Sequence, residues 1–297
     1  MRKILVSVAA AGLLLAACAQ DQPVVTSDGG QTESPAVDAC ATENLNLVTP
    51  GTLTIGTGNP AFPPWFEGGE SPDSEFEFND PAKGQGYEGA VAHEVAARLG
   101  FSADEIAFVP VGFNKSFAPG PKDFDFVLQQ ISYVPERDEA VDFSESYYDV
   151  QQALVSTEGS AIAGATSIAD LADAKLGAPI GTTSLQVIED LIQPSEEPAV
   201  YDDLAGAVQD LKNEAIDGIV VDLPSAFFIT AVQIPKGVVV GQFATEGSQE
   251  YFAMAFETGN PLVECVNRAL QEMKADGTLD AIEQEWLADK TNAPVLT

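Results

Sequence analysis

Positive charge is what this sequence lacks most: thirteen Lys and Arg stand against forty-six Asp and Glu, a formal net charge of -33 at pH 7. That sign repels phosphate backbones and anionic headgroups, which excludes nucleic acid and acidic lipid surfaces as partners. The excess acid reads as a solvation or salt adaptation, and it makes every cation held in place informative. Histidine is reduced to one, His93, in a helical stretch where it reads as a solvated or rim residue. Ser-His and Cys-His catalytic arrangements and a histidine-built metal cluster are therefore missing, so no metal and no cofactor is expected. No Gly-x-x-x-x-Gly-Lys-Ser/Thr loop occurs, so nothing in this chain is set up to hydrolyse ATP. There is no internal repeat. The one long apolar run, residues 4–17, is too short and wrongly flanked for a stable membrane span.

That run follows Arg2 and Lys3 and ends Leu15-Ala16-Ala17-Cys18, the layout of a secretory signal. The small residues before Cys18 resemble the lipobox of bacterial lipoproteins, in which the thiol is lipidated and the chain cut just before it. The reading expects residues 1–17 to be the signal peptide, Cys18 to anchor the protein to a membrane it does not cross, and the outer face of the cell membrane or periplasm as its location. The alternative is a plain signal peptide with an incidental cysteine. Residues 18–39 are polar, with Gly and Pro, and read as a flexible tether. Two further cysteines, Cys40 and Cys265, suggest one disulfide in an oxidising compartment, the alternative being two free thiols.

From residue 51 the pattern becomes that of a folded chain. Residues 52–57 read as a strand, and residues 66–86 as an acidic loop. A helix is expected over 90–99, because Val91, Val95 and Leu99 share a face and Gly100 is a natural stop. Strands are expected at 108–111, 176–180, 216–221, 238–243 and 251–256, with 147–155 as one long extended crossing and 124–128 as a helical or buried segment. Helices are expected at 168–173, 185–192, 202–213, 261–274 and 279–288. Alternating strands and helices argue an α/β fold with mainly parallel sheets, and a 45% hydrophobic content supports a large core in two lobes.

The stretch richest in chemistry runs Gln130-Ile131-Ser132-Tyr133-Val134-Pro135-Glu136-Arg137 and continues to Val141-Asp142-Phe143-Ser144. Beyond the signal segment only three arginines remain. Arg98 and Arg268 lie in helical segments, whereas Arg137 follows a Pro-containing loop after a buried run. A guanidinium held there can grip a carboxylate with two parallel hydrogen bonds, or serve a structural ion pair. Asp222 leaves the end of the apolar strand Val220-Val221, which is costly unless it meets a cation, although capping the helix after Pro224 is an alternative use.

These blocks, with Gly51-Thr52-Leu53-Thr54-Ile55-Gly56-Thr57, Pro63-Pro64-Trp65-Phe66 and Gly86-Tyr87-Glu88-Gly89, resemble the polar amino-acid-binding proteins of bacterial ABC importers, the family 3 solute-binding proteins. The resemblance runs from about residue 51 to 287. It implies a two-lobed periplasmic-binding-protein fold of the type II, Venus-flytrap kind, with residues 40–149 plus 245–297 in lobe 1 and 150–244 in lobe 2. It implies that Arg137 clamps a ligand α-carboxylate beside the Ser132 hydroxyl and Gln130. Gly181 with Thr182 and Thr183 would assist the carboxylate through backbone N–H groups at a helix start. Asp222 would receive the α-ammonium, and Phe62 or Trp65 with Phe113 would wall the side chain. Where several relatives carry an acid after the first strand this chain has Gly58-Asn59, which argues against a strongly cationic side chain. The implied function is a lipid-anchored monomeric receptor, not an enzyme, delivering a polar amino acid to an ABC permease. A sensing lobe of a signalling system and a dehydratase or cell-wall lyase on the same scaffold are the alternatives.

Overall fold

The computed structural model describes residues 38–244, 250–287, 290 and 292–297. The expected signal peptide, Cys18 and the tether as far as residue 37 lie outside the described residues. In chain order the strands are β1 (Leu53–Thr57), β2 (Ile106–Pro110), β3 (Phe126–Val127), β4 (Asp142–Asp149), β5 (Gln152–Thr157), β6 (Leu176–Pro179), β7 (Ala199–Tyr201), β8 (Gly218–Asp222), β9 (Gly237–Phe243), β10 (Tyr251–Phe256) and β11 (Val295–Leu296). The helices are α1 (Tyr87–Arg98), α2 (Phe113–Ser116), α3 (Pro135–Asp138), α4 (Thr183–Gln186), α5 (Leu204–Lys212), α6 (Leu223–Phe228), α7 (Leu262–Asp276) and α8 (Thr278–Leu287). Wider π-type turns prolong α4 over Val187–Ile192 and α6 over Ile229–Gln233.

The strands form two sheets, ordered β2-β1-β3-β10-β4 and β11-β9-β5-β8-β6-β7. Each is mixed rather than mainly parallel. β10 runs antiparallel to β3 and β4, and β5 runs antiparallel to β8 and β9. β5 and β10 each follow a crossing from the other sheet and run antiparallel to both neighbours, whereas β11, which also arrives from the first half, pairs parallel with β9. The extended crossing at 147–155 is thus two strands, β4 and β5, belonging to different sheets and separated at Val150 and Gln151. Residues 126–127 are a strand, not a helix, because β1 and β10 flank them on both sides. Val295–Leu296 pairs with β9, so these C-terminal residues join the second sheet instead of lobe 1, where the sequence reading put them.

Burial explains the sequence patterns. All five residues of β1 and of β8 are buried, as expected for strands covered on both faces, which show apolar runs rather than alternation. In β8 the period of two sorts neighbours to opposite sides. Val220 packs with Leu154, Leu176 and Ile188, while Ile219 and Val221 pack with Val155, Leu211 and Ile229. In the first half, Val91, Val95 and Ala96 of α1 meet Leu270 and Met273 of α7 over Leu53 and Ile55. Cys40 and Cys265 form the expected disulfide, with Cα atoms 5.4 Å apart, tying the start of the folded region to α7. Among the described residues no helix is long and apolar enough to cross a membrane, and no group of three or more His, Cys, Asp or Glu is placed to hold a metal ion.

Candidate functional site

A cavity of about 400 Å³ lies between the two sheets. It is met by residues that follow the carboxyl ends of strands: Gly58 after β1, Gln129 and Gln130 after β3, Ile180 after β6, and Asp222 closing β8. Crevices outside strand carboxyl ends are where open α/β sheets take ligands, since backbone and loop side chains converge there. From the first half the wall includes Phe62, Phe113, Gln130 and Ser132; from the second, Gln152, Thr182, Thr183 and Asp222.

Arg137 sits on α3, a single turn opened by Pro135, whose fixed φ suits the first helical position. Its guanidinium donates from Nη1 to the Ser132 carbonyl at 2.5 Å and from Nη2 to the Gly181 carbonyl at 2.7 Å. The second bond crosses from one half to the other. The cation lies 4.4 Å from the Phe117 ring centroid and 5.4 Å from that of Phe113, so its faces are sheltered by aromatic surface. Burial pulls its pKa down to about 10, partly offset by the charge of Glu250, and it stays cationic at neutral pH. Arg137 is set behind the Ser132 edge and is not itself part of the cavity wall. Gly181 has φ of +77°, a backbone conformation that L side chains rarely adopt, so glycine suits the turn that brings this carbonyl to the guanidinium.

On the cavity wall beside that pair is a polar cluster drawn from both halves. Ser132 Oγ donates to Glu250 Oε1 at 2.6 Å and Thr183 Oγ1 donates to the same oxygen at 2.7 Å. Gln152 Nε2 lies 3.2 Å from Glu250 Oε1 and 3.2 Å from Thr183 Oγ1. The Gln152 amide is oriented by Ser184, whose Oγ donates to its Oε1 at 2.8 Å. Thr182 works differently, as the N-cap of α4: its Oγ1 accepts from Leu185 N and donates to the Pro179 carbonyl.

Asp222 takes the capping role its sequence context offered and also stands on the cavity wall. Its Oδ1 caps α6 by accepting from Ser225 N at 2.9 Å, and it lines the cavity. Strand register places it directly opposite Gln152. Burial raises its pKa to about 6, against the hydrogen bonds from Ser225, with the charge of Glu250 pushing the same way as burial. Gln130, in the left-handed region at φ of 54°, gives its backbone N–H to Glu88 Oε1 at 2.7 Å and its side-chain amide to Glu88 Oε2. Tyr147 OH also donates to Glu88. Glu88 is fully buried, and desolvation raises its pKa to about 7 in spite of these donors.

The aromatic candidates divide. Phe113 and Phe62 are on the wall, Phe62 packed between Phe78 at 5.1 Å and Phe228 at 6.4 Å. Trp65 is core instead. Its ring is edge-on to Tyr87, Tyr148 and Phe252, and its Nε1 donates to Ser225 Oγ at 2.8 Å, joining the halves away from the cavity. The acidic loop 66–86 folds onto the cleft edge through Asn59, whose side chain bonds Glu75 and Glu77, and through Phe78 against Phe62. His93 departs from the solvated reading: it stacks on Phe108 at 5.8 Å, half-buried, and desolvation lowers its pKa. Sequence reasoning missed Gln152, Glu250 and Glu88. The only hint for Gln152 was a polar residue inside an extended apolar run, and for Glu250 an acid immediately before a strand.

Residues 68–289 match the family described as bacterial extracellular solute-binding proteins, family 3. The L-cystine-binding protein TcyJ of Escherichia coli strain K12 is 30% identical over 248 residues, covering 81% of this chain and 85% of that one. The structure of an ancestral arginine-binding protein bound to arginine superposes with a TM-score of 0.64 at 28% identity, over 80% of this chain and 98% of the other. An ancestral amino acid-binding protein, AncCDT-1, a precursor of cyclohexadienyl dehydratase, gives a TM-score of 0.64 at 27% identity over 80% and 95%.

Proposed function

Because the chain belongs to family 3 of the bacterial extracellular solute-binding proteins, we propose that it is the extracytoplasmic receptor of an ABC importer, closing on a free polar amino acid and presenting it to a permease. The observation that carries this is a cleft walled by Asp222 and by the Ser132 and Thr183 hydroxyls, with the Arg137 guanidinium next to that wall, bonded to the Ser132 and Gly181 carbonyls. A zwitterion has the complementary pair of charges. Its carboxylate meets Arg137, Ser132 and the Thr182-Thr183 turn, and its ammonium meets Asp222. Contacts to both halves exist only when the cleft is shut, so ligand favours the closed arrangement by that differential affinity.

The two halves are the moving lobes in this reading, residues 40–149 plus most of 250–287 facing 150–244, with the crossing at Val150 and Gln151 as a hinge. Phe62 and Phe113 cover the ligand side chain. Gly58-Asn59 and the folded 66–86 loop shape the rim and favour a polar side chain without a strong positive charge. Cys18 carries the lipid, and the receptor acts as a monomer. No catalytic step is assigned.

A thermal-shift panel of the twenty protein amino acids and L-cystine tests the proposal. A bound ligand stabilises by RT ln(1 + [L]/Kd), about 2.7 kcal/mol at a hundred times Kd. Expected is a selective upward shift with a few related members and none in Arg137→Ala. A panel without any shift overturns the amino-acid assignment.

A further inference from the structure

The Ser132 and Thr183 hydroxyls donate to one carboxylate oxygen at 2.6 and 2.7 Å, and the Gln152 amide adds a longer contact at 3.2 Å. Three donors from both sides of the cleft aimed at one oxygen is the make-up of a carboxylate receptor, and charge-assisted bonds of this length are among the stronger ones. The carboxylate they hold belongs to the protein: Glu250. The charge of Arg137 and the charge of Glu250 also act on each other. Ser132 and Thr183, two of the side chains assigned above to the ligand carboxylate, therefore already address an internal one.

Two carboxylates cannot share this anchor, because like charges at such range repel and the hydroxyls have one proton each to give. We propose that Glu250 is a built-in competitor and latch: it occupies the carboxylate anchor in the empty receptor, holds the two halves together there, and must be displaced when an amino acid enters. This rests on the assignment of the anchor to the ligand carboxylate made above. Position supports it. Glu250 lies immediately before β10, and its backbone carbonyl accepts from Val150 N at 2.8 Å, so it stands where the two crossings between the sheets meet. Its charge also adds a small part, beside the larger effect of burial, to the upward pKa shift of Asp222.

An anchor engaged by Glu250 nine-tenths of the time weakens apparent affinity about tenfold, since only the competent fraction binds. The test compares wild type with Glu250→Ala and with Glu250→Gln, which keeps the shape and loses the charge. Calorimetry uses L-arginine, L-cystine and whichever panel amino acid shifts the melting temperature. Expected is binding about tenfold tighter in both variants, with no gain for the decarboxylated partners agmatine and cystamine. Equal or weaker binding in both variants overturns the proposal. A second measurement needs no ligand: hydrogen exchange in the empty protein at amides 181–184 and 150–152. Faster exchange in Glu250→Ala supports the latch even where no panel member binds, an outcome that would sink the amino-acid assignment alone. Unchanged exchange, with the variant folded by circular dichroism, overturns the latch.

Discussion

Arg137 Nη2 and the Gly181 carbonyl oxygen meet at 2.7 Å across the cleft, one on α3 of the first half and the other at the turn leading into α4 of the second. A charged donor is thereby committed to both halves at once. Any movement that opens the cleft must break that bond or drag the guanidinium off Phe117.

Removing this cation should be costly for binding and only moderate for folding. Arg137→Ala is expected to lose about 2–5 kcal/mol of ligand affinity, the usual scale for deleting one partner of a buried charged contact. Arg137→Lys should recover little of it, because an ammonium cannot keep two carbonyls and a carboxylate in one plane. Calorimetry with the tightest panel ligand measures both.

Affinity should also follow the protonation of Asp222. Burial places its pKa at about 6 in the empty protein, so below that value the carboxyl is neutral and gives the ammonium no charge to meet. Binding is expected to weaken as pH falls from 7 to 5. Asp222→Asn should bind weakly throughout and lose that slope. A wild-type affinity flat over this window contradicts the role.

Glu88 bears on stability rather than on contact. Its folded pKa of about 7 is above the ordinary 4.5, so the native state holds a proton that the unfolded chain has released between those values. The sign follows: stability from this group is complete below pH 4.5 and is lost as pH rises through 7, by about 3 kcal/mol for a shift of this size. Glu88→Gln should flatten that part of the stability curve in urea titrations at pH 4.5 to 8. A variant curve parallel to wild type would contradict the assignment.

The disulfide is expected to act on the fold and not on the site. Cys265 is buried on α7 in the first-half core, and the bridge spans 225 positions. Cys40→Ala with Cys265→Ala should lower unfolding free energy by about 2–5 kcal/mol, from a freer unfolded chain. Ligand affinity should stay within twofold.

What could be read from the chain and what could not divides along physical lines. Local signals came through. The apolar run ending at Asp222, the Pro-containing segment before Arg137, the helix start after Gly181 and the cysteine pairing each depend on neighbours in sequence or on simple counting. Strand direction did not, because parallel and antiparallel pairing is decided by partners distant in sequence, and β5 and β10 look like any other β-branched or aromatic run. Trp65 was misplaced for a related reason: an aromatic beside a cleft loop has the same pattern whether it faces the cavity or packs on Tyr87 and Tyr148. Glu250 and Gln152 become significant only where residues 132, 152, 183 and 250 converge, and no spacing encodes that meeting.

The most direct measurement is calorimetry on wild-type protein with three forms of the panel's best ligand: the free amino acid, its α-carboxamide and the amine left after decarboxylation. Binding by the free amino acid, with the other two weakened by a hundredfold or more, is the expected result. Equal affinity for all three, or for the amine and the amino acid, would contradict a cleft built around Arg137 and Asp222 to hold a zwitterion.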